Sequence, residues 1–253
     1  MTVFILLLAS SIIFSCSANP ESYSIMTYNI RHGVGIDRIL DLPRTAGVIQ
    51  AANPDFVILN EVDAGTARSF GVQQADSLGK LLGLHALFGR SIDYDGGQYG
   101  NALLSRYPIV DFHIVDLSTD SLLEGRSVFI SRVDLLGDTI TIMGTHLGLS
   151  AEEQHEQVAR IINALPEYDR IILAGDFNFE DNSENYLGIT NVLRDGLKEV
   201  NLEPSLTFPA DKPVRRIDYI FIGAGIEALE SSPVQHIERT IASDHQPQLL
   251  HFK

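Results

Sequence analysis

The sequence has a single cysteine and few basic residues for its length. Cys16 alone excludes an internal disulfide, and no cysteine–histidine cluster has the spacing of a zinc site. There are 18 lysine and arginine residues against 33 aspartate and glutamate residues, so the formal net charge is −15. Because basic side chains supply most of the affinity for long nucleic acids, this balance disfavours nucleic-acid binding unless one groove is locally basic.

Long apolar runs are absent after the amino terminus. The apolar run at residues 3–14 is too short for a comfortable membrane span and is typical of a signal-peptide core, so we predict a leader over residues 1–20. Residues 13–16 resemble a loose bacterial lipobox, which predicts either lipidation of Cys16 or an ordinary leader. We therefore expect an exported protein, periplasmic or anchored as a lipoprotein, whose only membrane contact is that anchor.

Residues 21–253 are expected to form one globular domain, because 45% hydrophobic content over 253 residues suits a single large core. Apolar alternation predicts strands at 23–30, 56–59, 102–105, 127–135, 139–145, 170–174, 218–222 and 248–252. Helices are predicted over 41–52, with Asp41 as cap, over 72–82, and after Ser150, which forms a capping box with Glu153. Since strands both alternate with helices and follow one another, the pattern favours an α/β fold with mixed sheets.

Polar side chains stand where several of the apolar strands end. They are Asn29, Glu61, His146, Asp176, Asn178, Asp218, Asp244 and His245. A buried charge is costly unless it is paired or bound to a metal, so a set of this size indicates a functional site. The ends of strands are also where α/β folds usually place their sites.

The residue types in this set suit a hard cation. Carboxylate and amide oxygens are ligands for Mg²⁺, which is the expected ion, with Mn²⁺ and Ca²⁺ as alternatives. Histidines beside carboxylates suit proton transfer and charge stabilisation. The sequence has no P-loop and no G-x-S-x-G elbow, and Gly33-Val34-Gly35 lacks the rest of a dinucleotide fingerprint.

Short motifs run in order from about residue 23 to residue 252. The most specific are Gly-Asp-Phe-Asn at 175–178 and Ser-Asp-His-Gln-Pro at 243–247. Supporting motifs are Thr-Tyr-Asn-Ile at 27–30, Asn-Glu-Val-Asp at 60–63, Gly-Asn-Ala-Leu-Leu-Ser at 100–105, Thr-His-Leu at 145–147 and Arg-Ile-Asp-Tyr-Ile at 216–220. Together they resemble the endonuclease/exonuclease/phosphatase superfamily. The resemblance implies metal-dependent phosphoesterase activity and a four-layer α/β sandwich, with two mixed sheets face to face and helices outside.

The resemblance also implies which residues bind the metal and the substrate. Glu61 is the expected principal metal ligand, with Asn29 and Asp244 nearby. Arg126 is expected to contact the phosphate. The other expected substrate contacts are Asn101, Tyr99 and Arg68.

Five residues take catalytic roles by the same resemblance. His245 is the expected catalytic imidazole, oriented by Asp218, while Asp176 and Asn178 position the attacking water and the phosphoryl oxygens. His146 would stabilise developing charge or protonate the leaving oxygen. Either Asp176 or His245 takes the proton of the water, and the sequence leaves that choice open. Arg216 is expected to brace Asp218.

Departures from one branch of the superfamily narrow the expected function. Arg31 follows Asn29 by two residues, where abasic endonucleases carry an acid, and His146 stands where those enzymes tend to have tyrosine. With a predicted leader and no tryptophan, a DNA-repair role is disfavoured.

The expected function is hydrolysis of a small or lipid-type phosphodiester or phosphomonoester by a monomeric enzyme. An exported nuclease is the first alternative, and the acidic balance argues mildly against it. A non-catalytic binding module on the same fold is the second alternative. The intact set of polar residues argues against that reading.

Overall fold

Two six-stranded mixed sheets form the core of the described fold. The computed structural model describes residues 22–201 and 203–253, so the predicted leader and Cys16 lie outside the described residues. The strands are β1 (Tyr23–Asn29), β2 (Phe56–Ala64), β3 (His85–Tyr94), β4 (Gly97–Ser105), β5 (Ile109–Asp116), β6 (Ser127–Asp134), β7 (Thr139–His146), β8 (Ile171–Asp176), β9 (Arg194–Asp195), β10 (Asp218–Ile222), β11 (Ala228–Ser231) and β12 (Gln248–Phe252). The first sheet has the order β11-β12-β1-β2-β4-β3, and the second has the order β5-β6-β7-β8-β10-β9.

Five helices accompany the sheets in the described chain: α1 (Leu42–Ala52), α2 (Gln74–Leu82), α3 (Ala151–Asn163), α4 (Glu184–Thr190) and α5 (Gly196–Val200). The predicted caps are present in two of them. Asp41 accepts a hydrogen bond from the Arg44 amide at 2.9 Å, and Ser150 accepts one from the Glu153 amide at 3.2 Å. These bonds satisfy amides that the helix itself leaves without partners.

Separate apolar clusters define the layers. One cluster lies between the sheets and includes Ile58 of β2, Phe129 of β6 and Ile172 of β8. A second packs α1 and α2 on the outer face of the first sheet, and a third packs α3 and α4 on the outer face of the second sheet. The predicted four-layer α/β sandwich is confirmed. Among the described residues, no helix has the length and apolar character needed to cross a membrane.

One structural expectation was wrong. Arg216 does not brace Asp218, because both of its terminal nitrogens donate 2.8 Å hydrogen bonds to the carboxylate of Asp195. Its guanidinium also lies 4.5 Å from the ring centroid of Tyr219. Asp195 in turn caps α5, so this buried arginine holds the end of the second sheet together.

Candidate active site

The ends of strands from both sheets meet at one edge of the sandwich. Asn29 at the end of β1 pairs in register with Asn60 of β2. In the other sheet, Asp176 at the end of β8 pairs with His146 of β7 and with Asp218 of β10. Sheet register therefore brings together polar side chains that lie far apart in the sequence.

Glu61 reaches this edge through an irregularity in β2. The register of β2 against β4 shifts between Leu59 and Val62, and Glu61 has a φ of 57°. A left-handed conformation costs a residue with a side chain about 1–3 kcal/mol and persists where the surroundings enforce it. Asn178 has a φ of 55° at the same edge. Both side chains line the cavity described below.

Asp176 lies at the centre of the site, and its carboxylate contacts four of the other site residues. Its Oδ2 accepts a 3.0 Å hydrogen bond from Asn29 Nδ2 and lies 3.5 Å from the Nε2 atoms of both His146 and His245. Its Oδ1 accepts from the Asn178 amide at 3.0 Å. Burial, reinforced by the Asp218 charge, raises the pKa of Asp176 to about 7, although His245 acts in the opposite direction.

His245 forms a buried pair with Asp218. Its Nδ1 lies 2.9 Å from Asp218 Oδ2. Burial alone would lower the pKa of His245, but the carboxylates of Asp218, Asp176 and Asp244 outweigh it and raise the pKa to about 10. The imidazole therefore carries a positive charge at neutral pH, next to the carboxylate of Asp176.

The second histidine, His146, has a pKa shifted in the opposite direction from that of His245. Burial lowers the pKa of His146 well below its usual value, and the charges of Arg126 and His245 act in the same direction. Asn178 Nδ2 lies 3.1 Å from His146 Nε2 and donates to the Leu147 carbonyl at 3.0 Å. The site thus holds one charged and one neutral imidazole on opposite sides of Asp176.

A cavity of about 340 Å³ opens over this arrangement. The predicted residues that line it are Glu61, Arg68, Tyr99, Arg126, His146, Asp176, Asn178, Asp244 and His245. Arg126 is buried, pairs with Glu124 at 2.8 Å, and has an Nε without a hydrogen-bond partner. Ile92, Tyr94, Glu124, Leu149 and Phe208 complete the wall and were not predicted.

Asn101, Asn29 and Asp218 do not line this cavity. Asn101 is buried behind it and accepts a 2.8 Å hydrogen bond from Asn60. Asn29 lies under Glu61, to which its Nδ2 donates at 3.1 Å, and its Oδ1 accepts from the Arg31 amide. Asn29 Nδ2 therefore orients the carboxylates of Glu61 and Asp176. Asn29 Oδ1 is already occupied by the backbone amide of Arg31.

Asn60 is a site residue that the sequence reasoning missed. Its Nδ2 donates to Asn101 Oδ1 and to the Thr145 carbonyl, both at 2.8 Å, and its Oδ1 accepts from the Asp176 amide at 2.9 Å. One buried amide therefore ties β2 of the first sheet to β7 and β8 of the second. The sequence feature that could have identified Asn60 is its position next to Glu61 at the end of an apolar strand.

A sequence profile of the Endonuclease/Exonuclease/phosphatase family matches residues 26–245. The chain belongs to this family. Family members hydrolyse phosphate esters and depend on divalent metals. The recognition made from the motifs is confirmed.

Curated and solved relatives agree with the assignment to the endonuclease/exonuclease/phosphatase family. The chain is 29% identical over 241 residues to YbhP of Escherichia coli (strain K12), covering 89% of this chain and 94% of that protein. An endonuclease/exonuclease/phosphatase structure from Beutenbergia cavernae is 26% identical with a TM-score of 0.76, covering 92% of this chain and 71% of the other. A mannosyl-6-phosphatase from Bacteroides thetaiotaomicron, 18% identical with a TM-score of 0.75, shares the fold over 92% of this chain and 100% of its own.

The site contains donors that fit the divalent metal of this family. Burial raises the pKa of Glu61, and the charge of Asp244 raises it further, while the Asn29 hydrogen bond opposes both. Two neighbouring carboxylates in this environment are stabilised by a hard cation between them. Asp176, Asp218 and His245 also have ligand atoms within 4.8 Å of one another. We favour Glu61 and Asp244, because both line the cavity, whereas Asp218 of the second cluster does not.

Asn60 offers a test of how the two sheets are joined. Asn60→Ala is expected to lower the free energy of unfolding by about 2–4 kcal/mol, because it leaves buried amide and carbonyl groups without partners. Urea unfolding of the wild type and the variant measures the difference. Asn191→Ala, at an exposed position after α4, is the control and should be near neutral. An equally small effect for both variants would contradict the structural role of Asn60.

Proposed function

We propose that this protein is an exported hydrolase of a small ester that carries one phosphate group. The observation that supports this most directly is one cavity that combines three functions. Glu61 and Asp244 offer oxygen ligands for a cation, Asp176 and His245 offer a carboxylate beside a charged imidazole, and Arg126 offers a buried guanidinium. Phosphoryl transfer requires these functions together.

The chain's own residues divide the work of hydrolysis. Asp176 accepts the proton of the attacking water, because its carboxylate lines the cavity while the Nε2 of His245 already lies 3.5 Å from that carboxylate. His245 and Arg126 stabilise negative charge on the phosphoryl oxygens. His146 and Asn178 face the leaving oxygen. A divalent ion held by Glu61 and Asp244 would neutralise phosphoryl charge as a Lewis acid.

The size and charge of the cavity favour a small substrate over nucleic acid. A volume of about 340 Å³ is at the lower end for a small-molecule site. Among the lining residues of the described chain, the arginines are Arg68 and Arg126, and each is paired with a carboxylate. A nucleic-acid groove needs several free cations along a backbone. This arrangement supports one phosphate group per substrate.

Hydrolysis of a substrate panel tests the proposal. The panel contains glycerol 3-phosphate, a dialkyl phosphodiester, sphingomyelin vesicles and plasmid DNA, each with Mg²⁺ and with EDTA. Asp176→Asn serves as the inactive variant, and Asp120→Asn in an exposed loop serves as its matched control.

Metal-dependent turnover of a small ester, lost in Asp176→Asn and kept in Asp120→Asn, is the expected result. Preferential cleavage of DNA would support the nuclease alternative, and preferential cleavage of sphingomyelin would support a lipid substrate. A folded wild-type protein that turns over no member of the panel would overturn the proposal in favour of a binding module.

A further inference from the structure

A rigid guanidinium–tyrosine wall forms one side of the cavity. Arg68 lies in a 3-10 turn after β2, and its Nε and Nη2 donate to the carboxylate of Asp63 at 2.8 and 2.7 Å. Asp63 is buried and also accepts from Thr66 Oγ1 at 2.7 Å. A planar guanidinium held by two bonds to a buried acid has little freedom to move.

Two tyrosines pack against this guanidinium. Its central carbon lies 4.5 Å from the ring centroid of Tyr94 and 5.4 Å from that of Tyr99. Tyr94 is 43% exposed, and both rings line the cavity with Arg68. We call Arg68, Tyr94 and Tyr99 the aromatic wall. An exposed aromatic ring on a fixed support is suited to stacking against a flat or apolar face of a ligand.

The aromatic wall is not a second phosphate site. Arg68 makes two hydrogen bonds to the buried Asp63, whereas Arg126 pairs through Nη1 with Glu124, whose side chain is 47% exposed. Arg126, which has an unpartnered Nε, is the better phosphate ligand. Arg68 Nη1 makes no hydrogen bond within the described residues, so it remains a donor for a neutral oxygen.

We propose that the aromatic wall binds the leaving group of the substrate, and that this group is an uncharged ring with oxygen atoms at its edge. The ring would pack on the part of Tyr94 that Arg68 does not cover and accept a hydrogen bond from Arg68 Nη1 at its edge, while the phosphate lies at Arg126. This inference rests on the proposed phosphoesterase function. A sugar and a nucleoside both carry such a ring, and the choice of substrates below separates them.

The test compares esters that share a phosphate and differ in the leaving group. Glucose 6-phosphate and adenosine monophosphate carry rings, and glycerol 3-phosphate does not. The wild type should prefer one ring ester over glycerol 3-phosphate, and Tyr94→Ala should raise the KM for that ester about tenfold with little change in kcat. The KM for glycerol 3-phosphate should rise much less than the KM for the ring ester. Tyr94→Phe should keep the preference, because stacking needs only the ring.

Two arginine variants complete the test. Arg68→Lys keeps a charge for the buried Asp63 but loses the planar donor, so it should also raise the KM for the ring ester. Arg90→Met is the control, because Arg90 pairs with Asp93 on the same β3–β4 hairpin and does not line the cavity. It should leave all substrates unaffected.

The outcomes separate this inference from the proposed function. If the wild type hydrolyses glycerol 3-phosphate and prefers neither ring ester, the inference is overturned. The proposed phosphoesterase function would still hold. If Tyr94→Ala loses activity equally on ring and acyclic esters, the inference is also overturned. The aromatic wall would then affect the whole site and not the binding of the leaving group. Hydrolysis of none of the esters would overturn both.

Discussion

His245→Ala is expected to lower kcat for the metal-dependent reaction by about 10²- to 10³-fold. His245 carries a positive charge at neutral pH, because the carboxylates of Asp218, Asp176 and Asp244 raise its pKa to about 10 against the opposing effect of burial. Its Nε2 faces Asp176 in the wall of the cavity. Alanine removes the charge that would stabilise the phosphoryl oxygens.

A double-mutant cycle separates the roles of His245 and Asp218. Asp218 does not line the cavity, and its Oδ2 accepts a hydrogen bond from His245 Nδ1 at 2.9 Å. Asp218→Asn alone should therefore reduce kcat through the imidazole. The double variant should be no slower than His245→Ala, because residues that act as one unit are strongly non-additive. A double variant whose loss is the product of the single losses would show that Asp218 acts independently.

His85→Ala is the matched control for this cycle. His85 is exposed and begins β3, at the end of the hairpin away from the cavity. Its kcat should equal that of the wild type. Thermal unfolding of each variant tests whether a loss of rate follows from a loss of structure. The prediction fails if His245→Ala retains most of the wild-type kcat while folded.

The sequence was most informative where strands are buried on both faces. The predicted strands at 218–222 and 248–252 have the bounds of β10 and β12. In β10 the continuous apolar run at 219–222 identifies a buried strand. The polar residues that follow such runs were therefore assigned to a common edge. The family resemblance supplied their roles.

Edge strands and turns were harder to predict. β5 is exposed along most of its length, so no apolar alternation identifies it. β3 is also an edge strand, and its hairpin turns at Asp95 and Gly96, both with positive φ. An Asp-Gly pair is a strong hairpin signal that could have located β3 and with it Tyr94.

The fine geometry of the site could not be read from the sequence. The left-handed backbone of Glu61 depends on a register shift between two strands. The orientation of the Asn29 amide depends on Glu61 and Asp176, which come from two separate segments. Such features follow from tertiary contacts, which local patterns do not encode.

Glu61→Gln is expected to abolish stabilisation by Mg²⁺ and to lower metal-dependent turnover by at least about 10²-fold. For the wild type, an ion at about 100 times its Kd should add about 2.7 kcal/mol to the free energy of unfolding. Glutamine has the same shape and can still accept the Asn29 hydrogen bond. It lacks the charge that a hard cation requires.

The same variant should be at least as stable as the wild type in EDTA. Burial raises the pKa of Glu61, and the neighbouring Asp244 raises it further, so the ionised carboxylate is unfavourable without a cation. Removing that charge relieves the cost while the fold is kept. A metal site of this kind lowers the stability of the metal-free protein and raises its affinity for the metal.

Thermal unfolding with and without Mg²⁺ measures both effects in one experiment. Glu124→Gln is the matched control, since Glu124 lines the same cavity but is 47% exposed and pairs with Arg126. It should keep the wild-type increase in Tm on adding Mg²⁺, whereas Glu61→Gln should show none. If Glu61→Gln keeps the increase, the cation lies elsewhere, and the cluster of Asp176, Asp218 and His245 becomes the site to test.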